Sequence, residues 1–216
     1  MVGTFAEAVR GWVAAGRGGI GGLAGEVEEA ARRDGVRVVV LVEGVSDAAA
    51  VRELGVRLGR DLAGEGVCVL PIGGAMGVGR YVGALGGGEL RLAGLCDAAE
   101  ERWFARALER ARYGTALTRP DLARLGFHVC VADLEDELIR ALGAGAVQEI
   151  VEAEGELRKF RTFQKQPAQR TRTVEQQLHR FLGTHSGRKE QYGRSLVAAL
   201  DLAHTPTPLH HLLAQL

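Results

Sequence analysis

Apolar and polar positions follow two alternating periods between residues 36 and 142. Val38-Val39-Val40-Leu41-Val42 is a short, mostly β-branched run closed by Glu43 and Gly44, and it reads as a buried strand over about 36–43. Val51, Leu54, Leu58 and Leu62 then recur at helical spacing, which predicts a helix over 47–62. The same succession returns three times. A strand at 67–72 leads into the glycine-rich stretch 73–79 and a short helix over 80–85. A strand at 90–96 precedes a helix over 98–112, whose buried stripe is Trp103, Phe104, Ala107, Leu108 and Ala111. A strand at 127–132 precedes a helix over 134–142. Between these last two units, Thr118-Arg119-Pro120-Asp121 is turn chemistry, so 114–121 is expected to be a loop. Strands alternating with helices predict an α/β fold: a Rossmann-like, mainly parallel four-stranded sheet with right-handed crossovers and helices on both faces.

The flanks differ from this core. Residues 4–34 read as helical with a flexible break over 16–22. After Gly145 the pattern is helical throughout: 146–163, a break near Pro167, 173–182, a glycine-bounded turn over 183–187, a helix from about Arg188, and a last helix after Pro206 or Pro208. The expected division is an N-terminal helical segment (1–35), an α/β domain (36–145) and a basic helical extension (146–216).

Three of the four strand runs end in acid. Glu43 and then Asp47 follow the first, Asp97 the third, and Asp133 and Glu135 the fourth. In open α/β sheets ligands gather at the carboxyl ends of the strands. Carboxylate oxygens are the ligands that Mg²⁺ and similar hard cations take. Against this stands the general preference of acids for helix N-termini, where the helix dipole stabilises them.

Charge sharpens the picture. The formal net charge is zero, yet residues 157–194 hold ten Lys or Arg and two acids, so the remainder is acidic. Such asymmetry suggests a polyanion for the basic part, or else a solvated face that balances the acidic domain. Phe160, Phe163, Phe181 and Tyr192 intersperse with these cations and read as core before base-stacking residues. Cys68, Cys96 and Cys130 sit in apolar runs without metal spacing, which points to buried free thiols and a cytoplasmic protein. No secretory leader and no run of roughly 20 apolar residues is seen. No Gly-Lys-Ser/Thr phosphate loop is present, so no nucleotide-hydrolysing motor is expected. His128 reads as packed, and His210-His211 as a pair at the core's edge.

Leu41-Val42-Glu43-Gly44-Val45-Ser46-Asp47 resembles the first motif of the Toprim domain, the catalytic module of topoisomerases, primases and several nucleases. Leu95-Cys96-Asp97-Ala98-Ala99 stands where that domain carries Asp-x-Asp. With Asp133-Leu134-Glu135-Asp136 and Gly187-Arg188-Lys189, the chain is most similar to the Toprim half of the overcoming-lysogenization-defect (OLD) nucleases, without their ATPase half. The resemblance implies Mg²⁺- or Mn²⁺-dependent phosphodiester hydrolysis or nucleotidyl transfer on nucleic acid, DNA before RNA, with two ions. It implies Glu43 as metal ligand and general acid/base; Asp47, Asp97, Asp133 and Glu135 as further ligands; and Lys189 as the cation at the scissile phosphate. Arg170, Arg172, Arg188 and Lys189 would contact nucleic acid. A separate ATPase subunit and a second copy of the chain are the expected protein partners. The departure is Ala99, where the second acid of Asp-x-Asp should be, with Glu100 and Glu101 beside it. The alternative is therefore a catalytically impaired module that binds nucleic acid or a partner ATPase.

Overall fold

The structure, a computed structural model, describes residues 3–16, 25–183 and 186–216. Two helices, α1 (Gly3–Ala14) and α2 (Gly25–Arg33), precede the sheet. The break expected over 16–22 falls almost wholly outside the described residues, as do 184 and 185 of the turn expected over 183–187, and the helix expected from about Arg188 already starts at Ser186. Then come β1 (Val38–Val42), α3 (Val45–Arg57), β2 (Val67–Pro71), α4 (Val78–Leu85), β3 (Arg91–Cys96), α5 (Glu101–Arg110), α6 (Arg119–Arg124) and β4 (Phe127–Val129). The remainder is helical: α7 (Leu134–Ala153), α8 (Leu157–Gln164), α9 (Val174–Leu182), α10 (Ser186–Ala199) and α11 (Thr207–Gln215). No helix among the described residues is long and apolar enough to cross a membrane.

The four strands form one all-parallel sheet in the order β2-β1-β3-β4. Val40 pairs with Val69 on one side and Ala93 on the other, and Gly94 pairs with Phe127. Both faces are covered, which is why β1 is apolar at every position rather than at alternate ones. Val38, Val40 and Val42 point to a core shared with α3 and α7 to α11, while Val39 and Leu41 point to a second core under α1, α2, α4 and α5. Each fully buried side chain of this kind contributes about 1.5–3 kcal/mol. The first core runs from Val38 to Leu213, so the basic helices are built into one face of the sheet. Gly94 permits the central packing: a Cβ there would lie 2.6 Å from the Phe127 ring and 2.9 Å from the Leu41 carbonyl oxygen.

Several elements are shorter or differently placed than the pattern predicts. The helix after β1 ends at Arg57, and Gly59, at φ +71°, turns the chain away. The loop expected over 114–121 starts a helix instead. Asp121 accepts the Thr118 N–H at 2.8 Å and Pro120 lies in the first turn, so the same residues that make turns here cap α6. β4 stops at Val129 rather than 132, because the Val131 N–H donates to Glu137 Oε1 at 2.7 Å in place of a strand partner. The helices expected over 134–142 and 146–163 are α7, bent at Gly143 (φ 78°), followed by a break at Gly155 (φ +72°) and α8.

Candidate functional site

The carboxyl edge of the sheet collects the acids the sequence placed there. Glu43 is the first residue after β1. Its Oε1 accepts the Asp97 N–H at 3.0 Å, which ties the end of β1 to the end of β3. Its carbonyl accepts the N–H groups of Gly73 and Gly74, each at 3.1 Å. Those glycines sit at φ +72° and +109°, and the turn after β2 uses these two amides on Glu43. Asp47 is in the first turn of α3, where its Oδ2 accepts the Gly44 N–H at 2.8 Å. Asp97 directly follows β3. Asp133 lies four residues past β4 and caps α7, its Oδ1 accepting the Asp136 N–H at 2.8 Å. Glu135 follows in the first turn of α7.

These groups feel one another. Burial, then repulsion from Glu43, Asp47, Asp133 and Glu135, pushes the Asp97 carboxyl up to about 8. Burial and then Glu135 push Asp47 up to about 7, while the Gly44 N–H and the Lys189 charge pull the other way. Glu43 is also raised, by burial first. Among its charged neighbours Glu100 acts most strongly, ahead of Glu135 and Asp133. Glu100, beside the exposed Ala99, is therefore near enough to the edge for its charge to act on Glu43.

Asp133 behaves differently. Burial would raise it, but the hydrogen bond to His179, the Asp136 N–H and the Lys189 charge outweigh burial and hold it low. His179 Nε2 lies 2.6 Å from Asp133 Oδ2. The same contact raises the imidazole. His179 is absent from the sequence reading: it is a lone histidine on α9, 46 positions from its partner, and no spacing rule connects the two.

Lys189 reaches this edge because α10 crosses α3 closely. A Cβ on Gly193 would come within 2.5 Å of the Ser46 carbonyl oxygen, so only glycine allows the approach. Lys189, one turn earlier, lines a small crevice with Ser46, Glu135 and Leu182. Arg188 points elsewhere. Its guanidinium is only 11% exposed, meets Glu156 at 2.6 and 3.0 Å, and lies 4.3 Å over the Phe181 ring. The fold thus takes up the Arg188 expected to contact nucleic acid. Arg170 and Arg172 lie between α8 and α9 and spend one N–H each on the Lys165 and Ala168 carbonyls, at 3.1 Å. His128 is buried against Gln215, as expected of a packed residue.

A divalent cation fits this edge by chemistry. The donors are carboxylates, the choice of hard cations, and Asp97 and Asp47 are raised partly by repulsion that a cation relieves. The fit does not extend to a ready-made coordination sphere. Among the described residues no three His, Cys, Asp or Glu side chains converge closely enough to hold a metal ion.

Comparison with known proteins agrees with this layout. The sequence model of the family "Overcoming lysogenization defect protein-like, TOPRIM domain" matches residues 36–98, which hold Glu43, Asp47 and Asp97. Over those residues the chain is similar to an OLD-like TOPRIM domain. Two structures of the C-terminal region of the Xanthomonas campestris pv. campestris OLD protein superpose with TM-scores of 0.61 and 0.62 at 21% and 22% identity. Both cover 83% of this chain, and 93% and 91% of theirs. The C-terminal region of the Burkholderia pseudomallei OLD protein superposes at 0.60 with 18% identity, covering 83% of this chain and 96% of its own. No curated protein matches the chain. The all-parallel sheet flanked by helices is therefore the fold of the OLD C-terminal TOPRIM region.

Proposed function

We propose that the chain hydrolyses phosphodiester bonds in nucleic acid, DNA before RNA, using Mg²⁺ or Mn²⁺ as two ions at the carboxyl edge of the sheet. The observation that carries this reading is the Asp97 carboxyl at the strand end, paired with no cation among the described residues and driven up to about 8 by burial and by Glu43, Asp47, Asp133 and Glu135. The bound cations would supply Lewis acidity at the phosphate. Glu43, with Oε1 fixed by the Asp97 N–H, keeps Oε2 for a ligand or for the proton of an attacking water, and its raised pKa suits that exchange. Asp47, Asp97, Asp133 and Glu135 complete the ligand set. Glu100 joins them as the acid nearest the place that Ala99 leaves empty of a carboxylate. Lys189 neutralises charge that grows on the phosphate oxygens. Arg170 and Arg172 hold the backbone of the nucleic acid.

The test is plasmid nicking with Mg²⁺, Mn²⁺ or EDTA, comparing the wild type with Glu43→Ala. Nicking by the wild type that needs the metal and is lost in the variant supports the reading; equal nicking by both sinks it. Ala99 and the absence of a converged three-donor set among the described residues favour a second reading. In it the chain is a catalytically impaired module that binds nucleic acid or a separate ATPase subunit, as a dimer of this chain or alone. It expects binding without nicking under every metal.

A further inference from the structure

A groove of about 830 Å³ lies between α8 and the first turns of α10. Its lining is unlike that of a structural cleft. Arg158, Lys159 and Arg188 bring three cations, against the single acid Glu156. Glu156 is shared: it meets Arg188 at 2.6 Å and Lys159 at 3.0 Å. Arg158 is exposed, and its guanidinium has no partner among the described residues. The wall between these cations is aromatic. Phe163 is half-buried, with its ring centroid 5.7 Å from that of buried Phe181, and Arg188 covers the Phe181 face.

The groove adjoins the carboxylate edge through a single helix. Arg188 and Gln191 line the groove, while Lys189, Tyr192 and Gly193 line the crevice with Ser46 and Glu135. Consecutive residues of a helix diverge by about 100°, so α10 presents one side to the groove and the next to the acids. A chain that crosses the N-terminal part of α10 passes from one to the other.

We propose that this groove binds an unpaired stretch of nucleic acid, one base stacking on Phe163 and the adjoining phosphates lying over Arg158 and Lys159. An excess of cations selects a polyanion, and an accessible aromatic face between them selects one that carries planar rings. The groove would hold the single-stranded flank of a substrate whose duplex lies at the acids, so the proposal rests on the nucleic-acid reading above. It does not require that reading's chemistry.

The test is fluorescence anisotropy of a short fluorescein-labelled oligothymidylate with the full chain, in EDTA at low salt, alongside plasmid nicking. The wild type should bind. Phe163→Leu, which keeps an apolar side chain against the core but removes the ring, should weaken binding about tenfold. The exposed pair Arg158→Ala/Lys159→Ala, whose reading does not depend on core packing, should weaken it similarly and lower the slope of log affinity against log salt by about 1.4. Arg110→Ala, on the opposite face of the sheet, should bind as the wild type does. Binding with these losses but without nicking supports the groove and sinks the nuclease reading. Nicking with unchanged oligothymidylate binding in the Phe163 and Arg158/Lys159 variants overturns the groove alone. Loss in the charge pair with none in Phe163→Leu also overturns it, since the groove is then a charged surface without stacking. No binding by the wild type at low salt overturns it outright.

Discussion

Asp97 and Asp133 follow neighbouring strands of one sheet, and their carboxyl groups are driven in opposite directions. The Asp97 carboxylate accepts no hydrogen bond among the described residues; it is surrounded by other acids and is pushed up to about 8. Asp133 caps α7 through one oxygen, meets His179 through the other and is held low. The fold has already satisfied the second carboxylate and has left the first in deficit. A residue whose charge the protein does not balance is where an external cation gains most. The difference therefore ranks the candidate ligands: with a metal bound, Asp97, beside Glu43 and Asp47, would gain most, whereas Asp133 is already satisfied within the fold.

Substituting the two aspartates should separate these roles. Asp97→Asn is expected to reduce metal-dependent nicking about 10³-fold and to abolish the rise in melting temperature on adding Mn²⁺. Nicking and melts on the same preparation check this; a Mn²⁺ shift equal to that of the wild type would show that the cation binds elsewhere.

The next largest effect is on stability against pH without metal. Asp97 and Asp47 have folded values near 8 and 7, above the ordinary carboxylate range. Between the unfolded and folded values the native state holds more protons. The stability they contribute is therefore present below about pH 4 and is lost as pH rises toward about 8. Allowing for partial exposure, the loss is about 2–4 kcal/mol. Urea unfolding in EDTA at about pH 5 and about pH 8 measures it, and Asp97→Asn should remove most of the difference. Asp133 has the opposite sign: its contribution is present above about pH 4 and is lost as pH falls through its lowered folded value.

Lys189 links the two halves of the comparison, since its charge lowers both Asp47 and Asp133. Lys189→Ala should slow cleavage about 10²-fold while changing nucleic-acid affinity little, a split that single-turnover rates and gel shifts on one variant resolve. The smallest effect is expected at the satisfied carboxylate. Asp133→Ala should cost about 1–2 kcal/mol by loss of the α7 cap, and His179→Ala less, both read in chemical denaturation with EDTA present. If Asp133→Ala instead stabilised the metal-free protein, the contrast with Asp97 would collapse.

The sheet was legible because each strand run is short, apolar and closed by acid or glycine, and three of the four strands fall within a residue or two of the expected limits. The acids were legible for the same reason, since a strand end is a position that sequence pattern can mark. What was not legible depends on contacts across long stretches of chain. His179 and Asp133, or Arg188 and Glu156, are joined only after α9 and α10 have folded onto the sheet. Val131 misled for a local reason: it is apolar but 67% exposed, and its amide is claimed by a Glu137 that no strand pattern anticipates. The segment 118–121 misled because turn formation and helix capping use the same side chains.

The crossing at Gly193 has a consequence for motion. Because the backbones of α3 and α10 touch there, the amides around Ser46 and those around Gly193 should open together in hydrogen exchange, as one cooperative unit. Each such opening carries Lys189 away from Glu135 and uncovers the first turn of α3, so the lifetime of the assembled edge is the lifetime of that contact. A methyl group added at Gly193 would part α10 from Ser46 and so draw Lys189 off the carboxylates, with no change to the chemistry of any of these groups.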